Sequence, residues 1–281
     1  MLQQIAHFDA STLLELAMFK PSVTALLMAS SVVTAHAEVN RQTLAHHAPK
    51  ILVVLTNHDQ YPSRHDKTGL WLTELTHFTD VVEAAGYQTV WVSPNGGAVP
   101  LDERSLGWLY LDASAKRHLK SATFQHKLAH TFAISQVDPQ QFQAIYLTGG
   151  HGVMWDFPDN RSLQRAAEQI YAQGGVVSAV CHGVSGLVNL KDPQGQWLIN
   201  QRAVTGFSNR EEWLSGMNSQ VPFFLEDTLK QRGANYQQSW IPFTSYVVTD
   251  GRLVTGQNPQ SPKAVAQAVV KLLQAKAVPT P

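Results

Sequence analysis

The chain has 281 residues and a mass of 31.0 kDa, enough for one large or two small domains with a full core. Lys and Arg number 21, as do Asp and Glu, and 44% of residues are hydrophobic against 15% charged, which argues against a disordered chain, a nucleic-acid surface or an acidic-membrane partner. The single cysteine, Cys181, excludes an intramolecular disulfide and a cysteine-based zinc cage but leaves one thiol for chemistry.

The first element is a targeting segment. Residues 21–37 (PSVTALLMASSVVTAHA) contain no Asp, Glu, Lys or Arg, follow Lys20, and end in Ala35-His36-Ala37, the small-x-small pattern of a signal-peptidase site. The stretch is too short to span a bilayer as a stable helix. Residues 1–37 are therefore expected to be a signal peptide and the mature protein periplasmic or secreted, without a membrane partner. Asp9 and Glu15 suit a leader poorly, and a start at Met18 leaves a compact signal over 18–37. Residues 38–49 read as a tether, 50–276 as the folded domain and 277–281 as a tail.

Residues 51–56 (ILVVLT) form a continuous apolar run, the pattern of a strand buried on both faces of a parallel sheet. Trp71, Leu75, Phe78, Val82 and Ala85 then recur at helical spacing, with Gly86 placed to end the helix. Residues 89–93 (TVWVS) and 144–148 (AIYLT) read as further buried strands. Between them, residues 94–140 are the least regular part and are expected to be an insertion over one end of the sheet. A helix marked by Leu163, Ala167 and Ile170 is capped near Asn160 and closed by Gly174-Gly175, after which residues 176–180 (VVSAV) run straight into Cys181. Strands at 246–249 and 252–255 flank Asp250-Gly251, a type I′ hairpin signal, and residues 264–272 carry the apolar stripe of a closing helix. Strands alternating with helices imply a three-layer α/β fold with a mainly parallel sheet.

Cys181 stands where a strand turns sharply into a helix, with Gly183 allowing the helix to start close by. This is the geometry of a nucleophile elbow with cysteine in place of serine. Its position beside a helix N-terminus favours thiolate; the alternative is a buried cysteine acting as a small hydrophobe. Glu74 lies at the margin of the first helix's apolar stripe, either solvated or drawn inward as a protonated carboxyl beside the thiol. His182 follows the cysteine and needs an acceptor to orient it, for which Glu211 and Glu212 are candidates, unless they form a solvated face. His126 and His130 stand at i, i+4, but Lys127 replaces the glutamate of a zinc helix, so a solvated face is expected and no metal. Neither a dinucleotide-binding glycine motif nor a P-loop occurs, and no nucleotide cofactor is expected.

The motifs Gly69-Leu-Trp-Leu-Thr-Glu74, Ser93-Pro-Asn-Gly-Gly-Ala-Val-Pro100, Thr148-Gly-Gly-His-Gly152, Ala179-Val-Cys-His-Gly183, Thr205-Gly-Phe207 and Asp250-Gly-Arg-Leu-Val-Thr-Gly-Gln-Asn-Pro259 together resemble the ThiJ/PfpI superfamily. Within it they are most similar to the glyoxalase III (D-lactate dehydratase) and stress-chaperone branch, over roughly residues 50–273. The resemblance implies a flavodoxin-like sandwich and a cofactor-independent enzyme that converts methylglyoxal to D-lactate through a cysteine hemithioacetal, working as a homodimer on a small aldehyde. It implies Cys181 as nucleophile, His182 as its partner, Glu74 as the carboxyl beside the thiol, and Glu212 as third member with Glu211 as the fallback. Oxyanion and substrate contacts fall to Gly150, His151 and Gly183, with the backbone amides of Gly150 and His182 as donors. Where relatives often have Cys-His-Gly-Pro, this chain continues from Gly183 into Val184-Ser185, and export is a second departure. Deglycation of early glycated amines, or a dimeric holdase using exposed tryptophans among Trp71, Trp108, Trp155, Trp213 and Trp240, are the alternative activities.

Overall fold

The computed structural model describes residues 48–277. The expected signal peptide at 1–37, most of the tether and most of the tail lie outside the described residues. The apolar runs form the sheet they predict. Strands β1 (Lys50–Val54), β2 (Gln88–Ser93), β3 (Phe132–Ala133), β4 (Phe142–Leu147), β5 (Val176–Val180), β8 (Val247–Asp250) and β9 (Leu253–Gly256) make one seven-stranded sheet in the order β3-β2-β1-β4-β5-β9-β8. All neighbours are parallel except β8 and β9. Two short strands, β6 (Ala203–Val204) and β7 (Asn235–Tyr236), pair separately.

Every residue of β5 is buried, as are residues 51–54 of β1, because helices cover both faces and leave no wet side for polar alternation. Helix α1 (Leu72–Ala84) connects β1 to β2, and α8 (Pro262–Ala277) packs against it. Helix α5 (Arg161–Ala172) connects β4 to β5 in the opposite direction along the sheet, so right-handed crossovers place it on the other face. Its N-cap is Asn160, whose Oδ1 accepts from the Ser162 and Leu163 amides. The strand order reverses between β1 and β4. In such a sheet the crevice outside the carboxyl ends of the strands at that reversal is where ligands bind.

Two expectations fail. Residues 94–140 are not an irregular cover: they hold a 3-10 turn (Glu103–Leu106), helices α2 (Ala113–Leu119) and α3 (Ala122–Ala129), and the edge strand β3. Asp112 and Ser121 cap the two helices, but each helix spans only about two turns, too short for a periodic stripe to register. The hairpin loop is Gly251-Arg252, since Asp250 pairs with Leu253, and Gly251 alone of the two has a positive φ (58°), so it is not a type I′ turn. Asp250 is held in the strand because its carboxylate accepts from the Ala203 amide at 2.9 Å.

Helix α4 (Val153–Asp156) follows the Gly149-Gly150-His151-Gly152 loop, while α6 (Asn209–Leu214) and α7 (Leu225–Gln231) lie between β5 and β8 in sequence. Among the described residues, no helix is long and apolar enough to cross a membrane.

Candidate active site

Cys181 is the residue immediately after β5 and has φ 55°, a left-handed conformation that costs a non-glycine residue about 1 kcal/mol or more. The helix expected there is a 3-10 helix, Cys181–Leu187. The strained turn lifts the side chain off the strand end into a cavity of about 490 Å³. That is the elbow predicted from the sequence.

Glu74, in the first turn of α1, is fully buried rather than marginal. Its Oε2 accepts the Gly149 amide at 2.8 Å, and its carboxyl lies against the Cys181 thiol. Gly149 is the residue that lets the two meet: a Cβ there would lie 2.4 Å from Glu74 Oε2 and 2.9 Å from Cys181 Cβ. Burial pushes the Glu74 carboxyl up to about 8, so it is protonated at neutral pH and able to donate a hydrogen bond.

His182 turns back toward its neighbour. Its Nδ1 is 3.3 Å from Cys181 Sγ, and its Nε2 is 2.7 Å from Glu212 Oε2, on α6. The other oxygen of Glu212, Oε1, is 2.8 Å from His151 Nε2. His151 Nδ1 in turn faces Arg104 Nη2 at 2.8 Å. A guanidinium only donates, so His151 Nδ1 is the acceptor and the proton of the neutral ring sits on Nε2, donating to Glu212. Burial, with the charge of His182 next, holds His151 down to about 4 and keeps that ring neutral. Glu212 is held ionised, far below the ordinary carboxylate range, because both imidazoles donate to it against the cost of burial.

Cys181, His182 and Glu212 thus form a hydrogen-bonded triad. Burial, and then the Glu74 charge, push the Cys181 thiol well above its ordinary value, while the His182 backbone N–H opposes the shift. The helix N-terminus does not supply a standing acidic thiolate. The resting thiol is protonated, and His182 Nδ1 is the base placed to take its proton.

Glu211 is not the third member. Its Oε2 accepts from the Ser208 amide and hydroxyl in a capping box, and its Oε1 accepts from the Phe243 amide and Asn258 Nδ2, both at 2.8 Å. Both glutamates are buried, and neither belongs to a solvated face. Gly150 and His151 line the cavity, and the Gly150 N–H makes no hydrogen bond within the described residues. Gly183, expected as a substrate contact, does not line it. Its role is packing, since a Cβ there would be 2.3 Å from Thr148 O and 2.5 Å from Leu147 O. The His182 N–H, expected as an oxyanion donor, lies near the sulfur and opposes the rise of the thiol. Val184 and Ser185, which follow Gly183, are both buried.

A profile of the DJ-1/PfpI family matches residues 68–272. The chain belongs to the DJ-1/PfpI family. It is 34% identical over 233 residues to the glutathione-independent glyoxalase HSP31 of Saccharomyces cerevisiae, covering 80% of this chain and 98% of that protein. To glyoxalase 3 of Candida albicans it is 31% identical, over 79% of this chain and 97% of that one. Among solved structures, the rapid encystment protein of 24 kDa from Francisella tularensis superposes with a TM-score of 0.77 at 38% identity, over 80% of this chain and 99% of that one. Candida albicans glyoxalase III superposes with a TM-score of 0.75 at 31% identity, over 80% and 97%.

Sequence reasoning missed the far end of the network in this DJ-1/PfpI chain. Arg104 Nε and Nη2 grip the fully buried Asp102, to which Tyr61 donates at 2.9 Å, and Arg104 thereby holds His151. Asp102 and Arg104 lie in the stretch expected to be an insertion, Tyr61 between the first strand and the first helix, and no periodicity marks them. The Asp102-Glu103-Arg104 charge cluster was the one available signal. His126 and His130 stack on each other at the exposed end of α3, and the metal-compatible set among the described residues is His151, His182 and Glu212. Those three already satisfy one another by hydrogen bonds.

Proposed function

We propose that this DJ-1/PfpI protein is a glutathione-independent glyoxalase that converts methylglyoxal to D-lactate on Cys181. The observation that carries the reading is the triad of Cys181, His182 and Glu212 with the neutral Glu74 against the same sulfur, in a chain similar over most of its length to proteins named as such glyoxalases. The Cys181 sulfur attacks the aldehyde carbon C1 while its proton passes to His182 Nδ1, and the imidazolium is held by ionised Glu212. The aldehyde oxygen takes up a proton, giving a hemithioacetal. The C1 proton then leaves as its electron pair moves into a C1–C2 double bond and the C2 carbonyl pair moves onto oxygen. Return of a proton to C2 and passage of the C1 hydroxyl proton to the C2 oxygen give a thioester of lactate. Water cleaves it to lactate and free thiol, so the sum is methylglyoxal plus water to lactate. Glu74 and His182 are the groups placed to move these protons. The test is D-lactate formation from methylglyoxal without glutathione, which wild type carries out and Cys181→Ala does not.

Export belongs to the proposal. The apolar segment ending in Ala35-His36-Ala37 supports a periplasmic or secreted protein whose mature chain begins at Glu38. Intact-mass analysis of protein made in a Gram-negative host checks it, and soluble cytoplasmic protein that retains residues 18–37 contradicts it. The resemblance also supports a homodimer as the working form.

A second activity, holding of unfolded chains, is favoured by one observation. Trp108, Trp213 and Trp240 are exposed, the last at 95%, whereas Trp71 is buried. Apolar surface of this kind marks interaction sites.

A further inference from the structure

Arg104 lines the catalytic cavity as well as holding His151. Among the described lining residues it is the one Lys or Arg, and no Asp or Glu lines the wall. Its guanidinium is rigidly held. Nε and Nη2 bind Asp102 at 3.0 and 2.8 Å, Nη2 also contacts Tyr61 Oη and His151 Nδ1, and the group packs over the rings of Tyr61 and Trp71 at 5.4 and 5.8 Å. Nη1 alone makes no hydrogen bond within the described residues, which leaves two donor hydrogens of a fixed cation unused beside the cavity. Trp71, over which the guanidinium packs, also lines the cavity and is 8% exposed. Leu214, Phe207 and Phe243 make the rest of the wall largely apolar.

Such a cavity suits a small molecule whose oxygen-rich end meets the cation and whose remainder is apolar. A molecule joined to Cys181 through its aldehyde carbon extends its adjacent carbon into this space. We infer that Arg104 Nη1 forms a subsite for the oxygen on the carbon next to the reacting aldehyde, so that the site selects aldehydes carrying a neighbouring carbonyl or carboxylate over simple alkyl aldehydes and over cationic amines. The inference rests on the glyoxalase reading for its substrate but not for its test. In the proposed sequence the C2 oxygen is where the electron pair arrives after C1 deprotonation, and a fixed cation beside it stabilises that charge.

The experiment measures how aldehydes protect Cys181 from iodoacetamide, which requires binding but no turnover. Glyoxylate and acetaldehyde share the aldehyde and differ in carrying a carboxylate or a methyl group beside it. The ratio of their protection constants is compared between wild type, Arg104→Met and Arg104→Lys. Lysine keeps a charge opposite Asp102 but lacks the donors to serve both Asp102 and the cavity, so it separates the subsite from folding. Comparing ratios removes the intrinsic difference in electrophilicity. The preference for glyoxylate is expected to fall about tenfold or more in both variants, the scale of one charge-assisted hydrogen bond. An unchanged ratio overturns the subsite. Wild type alone also tests it, since acetate must slow alkylation relative to chloride at equal ionic strength, and no slowing overturns the inference whatever the variants do. Loss of the ratio without any methylglyoxal turnover in wild type would defeat the glyoxalase reading and leave the subsite standing; turnover with an unchanged ratio would do the reverse.

Discussion

At the scale of single residues, two carboxyl groups facing one cysteine and its histidine are driven apart by their surroundings. Glu74 receives one backbone N–H in an apolar pocket and stays protonated to about 8, while Glu212 receives two imidazole N–H groups and stays ionised. Each state has a use, and each has a consequence. Because folding raises the Glu74 value from the ordinary 4.5 to about 8, its protonated form favours the folded state at low pH, and that contribution is lost as pH rises through this window. Glu74→Gln removes the penalty. The variant is expected to melt several degrees higher than wild type near the top of the window, with a smaller gain near its foot, and to turn over methylglyoxal about 10² to 10⁴-fold more slowly. Wild-type turnover should decline above about 8 as the donor proton is lost. Paired melting and rate profiles against pH check both. The neighbouring glutamates separate in the same manner: Glu212→Gln should lower turnover about 10² to 10⁴-fold with little loss of structure. Glu211→Ala, which strips four hydrogen bonds, three of them from the buried Ser208 and Asn258, should destabilise by about 2 kcal/mol or more in denaturant unfolding.

At the scale of elements, the site is a consequence of two strands ending side by side. β4 and β5 are parallel neighbours, so the loop after Leu147 and the elbow after Val180 emerge together, and α1 brings Glu74 across them. Close approach rather than conformational freedom explains Gly183, whose φ is ordinary while its missing Cβ makes room for two carbonyl oxygens of the β4 end. Gly183→Ala is expected to cost about 1–3 kcal/mol of stability, measured by denaturant unfolding, and to disturb turnover through the displaced elbow. Unchanged stability would show that the elbow has slack there. These elements were legible in sequence because long buried strands write continuous apolar runs, and Cys181, His182 and Glu74 sit at their ends or in the first helix. What was not legible has a physical reason. The choice of Glu212 over Glu211 depends on which face of a six-residue helix meets His182, and the Tyr61, Asp102 and Arg104 support comes from loops that obey no period. The turn at Gly251 was displaced by one residue because a tertiary contact of Asp250, invisible locally, kept it in the strand.

At the scale of the whole molecule, the catalytic cavity opens among apolar residues. Tyr110, Leu214 and Phe243 belong to its lining, and Trp108, Trp213 and Ile241, their sequence neighbours, are exposed. If this surface holds unfolded clients, the holding depends on area and not on one sulfur, so Cys181→Ala should suppress aggregation of a test client as well as wild type does, whereas Trp108→Ser combined with Trp240→Ser should weaken it. Light scattering of the client reads the outcome.

The central claim is that the reaction passes through a bond to Cys181. The most direct measurement is rapid quenching of wild-type protein during methylglyoxal turnover, followed by intact-mass and peptide mapping. The account predicts an adduct of one methylglyoxal on Cys181 that forms and discharges at least as fast as lactate appears. Lactate formation that persists in Cys181→Ala, or turnover without a kinetically competent adduct on that sulfur, would contradict it.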